Sequence, residues 1–91
     1  MLMRTIAQEL APYNITVNNI CPGAIETPIN KGTLESSGLL QELLAEIPLG
    51  RLGTPEDVAE MAVYLASDAA AYVSGASLFI DGVMSKKASA L

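Results

Sequence analysis

The stretch Pro22-Gly23-Ala24-Ile25-Glu26-Thr27-Pro28 holds the residue types that a ligand-facing loop needs. Glycine at position 23 lets a backbone come close to a ligand, and Pro22 and Pro28 stiffen the loop on either side. Backbone N–H groups at Ala24 and Ile25, with the hydroxyl of Thr27, are donors for an amide or a phosphate. An ordinary strand-exit turn has the same residue types, so context must separate the two readings. Elsewhere reactive side chains are sparse. The chain has no histidine, which excludes histidine acid–base chemistry and, with a single cysteine, most zinc and copper sites. Cys21 cannot form an intramolecular disulfide and, with no basic partner in its pattern, reads as a packed small residue. Gly50-x-x-Gly53 follows no strand and reads as a turn, not a phosphate cradle. Arg51 reads as an ion-pairing loop residue, Glu56 and Asp57 as helix-start residues, and Glu42 and Glu46 as a solvated face.

The elements that must hold this loop follow from periodicity. Leu2, Met3, Ile6, Ala7, Leu10 and Ala11 form one apolar stripe, which predicts a helix over 2–11. Pro12 ends it, Asn14 suits a left-handed C-terminal position, and nothing ahead of Met1 caps it, as in a helix entered part-way. Residues 15–21 are rich in β-branched types with apolar residues on both alternating faces, which predicts a parallel strand buried on both sides. Residues 22–35 read as a loop. A helix is expected over 37–46, with Leu39, Leu40, Leu43, Leu44 and Ile47 on one face. Thr54-Pro55-Glu56-Asp57 starts a third helix: Thr54 caps, Pro55 takes the first position, and acids fill the first turn. That helix runs to about 66 with Val58, Ala59, Ala62, Val63, Leu65 and Ala66 as its buried set. A short turn at 69–72, a strand over 76–80 and a frayed tail over 85–91 complete the chain. The order is α-β-α-α-β, with two parallel strands joined by a right-handed helical crossover. Two strands do not make a doubly wound sheet, so the pattern is that of part of a larger α/β fold.

Ninety-one residues accommodate one small domain. The chain is 51% hydrophobic and 16% charged, too apolar for a disordered segment. Five basic against ten acidic residues give a net charge of −5, which argues against nucleic-acid and anionic-membrane partners. The longest apolar run, Met61 to Ala66, is far short of the roughly 20 residues a membrane span requires. Arg4 and Glu9 interrupt the N-terminal apolar residues, so no signal peptide is read there and a cytoplasmic location is expected.

Four ordered blocks supply the context for the Pro-Gly loop. They are Glu9-Leu10-Ala11-Pro12-Tyr13-Asn14-Ile15-Thr16-Val17-Asn18 with 22–28, then residues 47–59, then Leu65-Ala66-Ser67-Asp68 with Tyr72-Val73-Ser74-Gly75, and finally Asp81-Gly82. Together they resemble the C-terminal part of the short-chain dehydrogenase/reductase family, most nearly its glucose dehydrogenase-like and 3-oxoacyl-(acyl carrier protein) reductase-like members. The resemblance implies that 1–84 is the C-terminal segment of one Rossmann-type domain, with 15–21 and 76–80 as the sixth and seventh strands. It further implies NAD or NADP as cofactor, an alcohol or ketone as substrate, and a homo-oligomer. Pro22, Gly23, Ile25 and Thr27 become cofactor-binding candidates at the nicotinamide end, Ile25 through its backbone and Thr27 through its hydroxyl. Residues 30–47 become a mobile substrate lid.

The family's catalytic pair is a Tyr with a Lys four residues later, plus a Ser. Tyr13, Tyr64 and Tyr72 are followed at that distance by Val17, Asp68 and Ala76, so no catalytic residue is assigned in this chain. The Gly-rich dinucleotide turn is missing as well. The expectation is therefore a segment of an NAD(P)-dependent oxidoreductase that is inactive as these 91 residues. The alternative is a non-enzymatic oligomerisation or interaction module of the same descent. Asn18 is expected to bond neighbouring backbone. Asn19 stands where the family has a small residue, and Val83 where it commonly has a second Gly.

Overall fold

The computed structural model describes residues 1–86. Six principal elements run in order: α1 (Leu2–Leu10), β1 (Asn19–Pro22), α2 (Lys31–Ser37), α3 (Leu39–Ala45), α4 (Pro55–Leu65) and β2 (Ser77–Ile80). Short 3₁₀ turns lie at Ala11–Tyr13, Asp68–Ala70 and Met84–Lys86. The strands pair in parallel with Asn19 opposite Ser77 and Pro22 opposite Ile80, so both chain exits lie at the same end of the sheet. This is the α/β arrangement expected from sequence, with one helix more. Gly38, at φ 75°, breaks the expected 37–46 helix and separates α2 from α3, and α2 occupies part of the stretch read as loop. Residues 87–91 of the expected tail lie outside the described residues, and its first two residues belong to the last 3₁₀ turn.

β1 is shorter than the predicted 15–21 strand, and side chains explain why. Ahead of Asn19, the chain is held to the segment preceding β2 by one backbone bond, Gly75 N–H to Val17 O at 2.8 Å, and otherwise by side chains standing in for ladder bonds. The Val17 N–H donates to Ser74 Oγ at 3.1 Å, while the Asn18 amide donates to Val73 O and accepts from the Ala76 N–H. Asn18 thus has the bridging role expected of it. Asn14 takes the left-handed position at φ 61°. α4 begins as predicted, with a reciprocal cap: Asp57 N–H donates to Thr54 Oγ1, and Thr54 N–H to the Asp57 carboxylate at 2.8 Å.

Burial departs most from expectation. Ala7, Ile47 and Ala70 are the only buried apolar residues among those described. Neither strand holds a buried residue: in β1 Ile20 and Cys21 are half-buried between exposed ends, and β2 alternates exposed and half-buried residues. Asn19 is exposed, and within α4 Ala59, Ala62, Val63 and Ala66 of the expected buried set are exposed, Val63 at 70%. Leu2 on α1 is 74% exposed and Leu39 on α3 is 50%. The helical stripes are where periodicity puts them, but two strands and four short helices offer too little surface to cover them. The Cα radius of gyration, 16.3 Å, makes the same point, since a compact domain of this length measures about 12 Å. No helix among the described residues is long and apolar enough to cross a membrane.

Candidate cofactor-loop site

β1 delivers residues 23–27 to the carboxyl end of the sheet, and three neighbours fix their path. Gly23 N–H donates to Ile80 O at 3.0 Å, extending the strand pairing by one rung. A Cβ on Gly23 would stand 2.6 Å from Asp81 Cβ and 3.0 Å from Asp81 Cα. The glycine is therefore demanded by the end of β2, whereas the sequence argument assigned its smallness to a ligand. Asp81 is held in turn: its carboxylate accepts from the N–H groups of Val83 and Ser85. Val83 carries φ 74°, a left-handed conformation that is strained for a β-branched residue.

The next residues pair with the loop that precedes α4. Gly53 N–H donates to Ala24 O at 3.0 Å, and Glu26 N–H donates to Gly53 O at 2.8 Å. This makes a parallel bridge between Ile25 and Gly53. Gly53, read from sequence as part of a turn, is thus a pairing residue. Backbone groups alternate in direction along an extended chain, so the N–H and carbonyl of Ile25 face away from Gly53. The Ala24 N–H was also a sequence candidate, but Ala24's carbonyl serves the bridge.

Thr27 opens a tight turn into α2. Its N–H donates to Asn30 Oδ1 at 2.9 Å, and Asn30 N–H donates back to Thr27 Oγ1 at 3.3 Å. The Asn30 side-chain amide also donates to Ile25 O at 3.2 Å. Asn30 was missed by the sequence argument, although Thr-x-x-Asn has the spacing of reciprocal capping. Thr27 Oγ1 accepts one bond here, which leaves its O–H as a donor. An outward Ile25 N–H, the lone pair that Asn30 leaves on the Ile25 carbonyl, and the Thr27 hydroxyl nearby match a carboxamide, which both donates and accepts. The residues present therefore fit the nicotinamide end of the cofactor.

Arg51 and Asp57 hold the α4 approach. Arg51 Nη1 donates to Asp57 Oδ2 and to Leu52 O, each at 3.0 Å. The guanidinium, and then the Thr54 N–H, pull the Asp57 carboxyl down from its usual 3.8 to about 2. Asp57 is thus a helix-cap residue and Arg51 its ion-pair partner, as the sequence suggested. Beside them a groove of about 480 Å³ opens along Leu49, Arg51, Asp57, Phe79 and Val83. Pro22, Gly23, Ile25 and Thr27 do not line it. Among the described residues no cluster of His, Cys, Asp or Glu is arranged to hold a metal ion.

A parallel strand pair joined by helices, with its loops leaving the carboxyl ends together, is one portion of an open α/β sheet. The family model described as enoyl-(acyl carrier protein) reductase matches residues 1–85, and the chain belongs to the short-chain dehydrogenase/reductase family. Two characterised relatives are each 48% identical to it. The L-rhamnose 1-dehydrogenase (NAD(P)(+)) of Azotobacter vinelandii matches over 81 residues, 89% of this chain and 32% of its own length. The 3beta-hydroxysteroid dehydrogenase 1 of Eggerthella lenta matches over 84 residues, 92% of this chain and 32% of its own. The solved short-chain type dehydrogenase/reductase of Mycobacterium ulcerans superposes with a TM-score of 0.86 at 40% identity, covering 94% of this chain and 31% of that one. The chain thus spans about a third of the length of the relatives it matches, and its fold is an incomplete portion of their Rossmann-type sheet. The family is one of oxidoreductases that use a nicotinamide cofactor.

Proposed function

We propose that residues 1–84 are the C-terminal segment of a Rossmann-type domain whose complete form transfers a hydride between NAD or NADP and an alcohol or ketone. The observation that carries this reading is the outward-facing backbone of Ile25 beside the Thr27 hydroxyl, fixed by the Gly53 bridge on one side and Asn30 on the other. In this reading Pro22 and Gly23 set the loop's exit from β1, Ile25 offers its N–H and carbonyl to the carboxamide, and Thr27 donates its hydroxyl. The cofactor supplies the hydride chemistry; the loop binds and orients its nicotinamide end. Residues 30–47, hinged between the Thr27–Asn30 turn and buried Ile47, form the cover for an apolar part of the substrate. No residue of these 91 supplies the proton relay, so the chain by itself is inactive. A sugar dehydrogenase and a steroid dehydrogenase match it at equal identity, so the reading names the substrate only as an alcohol or ketone. A cytoplasmic, homo-oligomeric enzyme is the setting this reading assumes.

A second reading is favoured by the exposed apolar faces. Leu2 on α1 and Val63 on α4 are uncovered, as expected of a module whose role is to bind another copy or a complete relative. The test is to replace the matching segment of the A. vinelandii dehydrogenase with residues 1–85. The chimera should bind NAD(P) and oxidise L-rhamnose, and Thr27→Val in it should weaken cofactor binding by about 0.5–1.5 kcal/mol, one hydrogen bond. A folded chimera in which Thr27→Val leaves cofactor affinity unchanged removes Thr27 from the site.

A further inference from the structure

The Arg51–Asp57 turn is tied at both ends, and Gly53 within it reaches the loop that follows β1. Asp57 Oδ2 accepts from Thr54 N–H at 2.8 Å and from Arg51 Nη1 at 3.0 Å, so one carboxylate oxygen fixes both flanks of Gly53. Arg51 is fixed further through its bond to Leu52 O. Between these anchors, Gly53 makes the two backbone bonds to Ala24 and Glu26. Gly53 lies outside the left-handed region that explains many glycines. The tip of the Ile25 side chain lies 2.7 Å from where a Cβ at 53 would stand and is free to turn aside, so Gly53 acts through its backbone bonds.

We propose that Gly53, anchored by Asp57, is the positioning residue of the cofactor loop. It engages Ala24 O and Glu26 N–H and so turns the N–H and carbonyl of Ile25 to the opposite side, toward the nicotinamide carboxamide. This rests on the reading of Ile25 as a cofactor ligand. Asp57 acts only through Gly53, and neither residue touches the cofactor. The physical logic is that of a template strand. A loop of seven residues with two prolines has many paths, and a two-bond bridge to a rigid, capped segment selects one.

Amide hydrogen exchange on the cofactor-free chimera tests this. Asp57→Ala should cost the Glu26 and Gly53 amides about tenfold in protection, the scale of a lost charged hydrogen bond. The Cys21 and Gly23 amides of the strand pair should stay within about twofold, and Glu60→Ala on α4 should alter neither set. In the same chimera Asp57→Ala should weaken NAD(P) binding about tenfold, while Glu60→Ala leaves it unchanged. The proposal is overturned if Glu26 and Gly53 exchange like an unfolded peptide in the unsubstituted chimera, keep their protection in Asp57→Ala, lose it only in step with every other amide, or lose it with no loss of cofactor affinity. Thr27→Val weakens cofactor binding independently of the bridge, so the positioning role and the ligand role are tested apart.

Discussion

Replacing Gly23 by alanine tests how the two strand exits are joined. The added Cβ would lie 2.6 Å from Asp81 Cβ and 3.0 Å from Asp81 Cα. Carbon atoms rest about 3.5–4.0 Å apart, so the strand ends must separate by roughly 1 Å. Asp81 cannot turn aside, because the atoms struck belong to its main chain and first side-chain carbon. Its carboxylate is also held by the Val83 and Ser85 N–H groups. The separation would carry the 3.0 Å bond from Gly23 N–H to Ile80 O out of range. Overpacking costs about 1–3 kcal/mol, and the lost bond about 0.5–1.5 kcal/mol. Reduced freedom of the unfolded chain returns about 0.4–1 kcal/mol. The expected result is a destabilisation of about 2 kcal/mol, read as a lower urea midpoint of the chimera at fixed protomer concentration. Gly32→Ala is the matched control. It lies in α2 with nothing within 4 Å of its added carbon, and should stabilise by about 0.5–1 kcal/mol. Equal midpoints for the chimera with and without Gly23→Ala would refute the packing argument. If cofactor affinity of the chimera fell at the same time, the glycine would be returned to the ligand side.

Three further outcomes are expected. The Asp57 carboxyl should titrate near 2, so its contribution to stability is complete above the ordinary carboxylate range and is lost as pH falls from about 4 toward 2. Arg51→Gln should raise that midpoint while the Thr54 N–H still holds it below 3.8, and an NMR titration of the native chain centred at 3.8 would remove the pairing. The 91-residue chain should show no cofactor-dependent absorbance change with a panel of alcohols; activity abolished by mutating this chain would contradict that. It should also self-associate or unfold without a sharp transition, because the free strand edge and the Leu2 and Val63 surfaces seek a cover. A monomer with one cooperative transition in light scattering and denaturation would show a self-sufficient domain.

Local chemistry was legible in the residues themselves. Thr54-Pro55-Glu56-Asp57 specifies a capped helix start, Asn14 a left-handed stop, and the β-branched run before Pro22-Gly23 an extended segment. These signals depend on neighbours within four residues, so spacing alone carries them. The family was legible for a related reason, since its blocks of residues are local and ordered. What the tertiary structure decided depends on contacts distant in sequence. Asn18 replaces ladder bonds and shortens β1 because Val73 and Ala76 stand opposite it. Gly23 is small because Asp81 is its neighbour, and Gly53 pairs with Ile25, partners 58 and 28 positions away that no periodicity announces. Burial was decided the same way. An apolar stripe on α4 fixes which face seeks cover, but coverage requires another surface, and the elements described here leave Val63 and Ala62 facing outward.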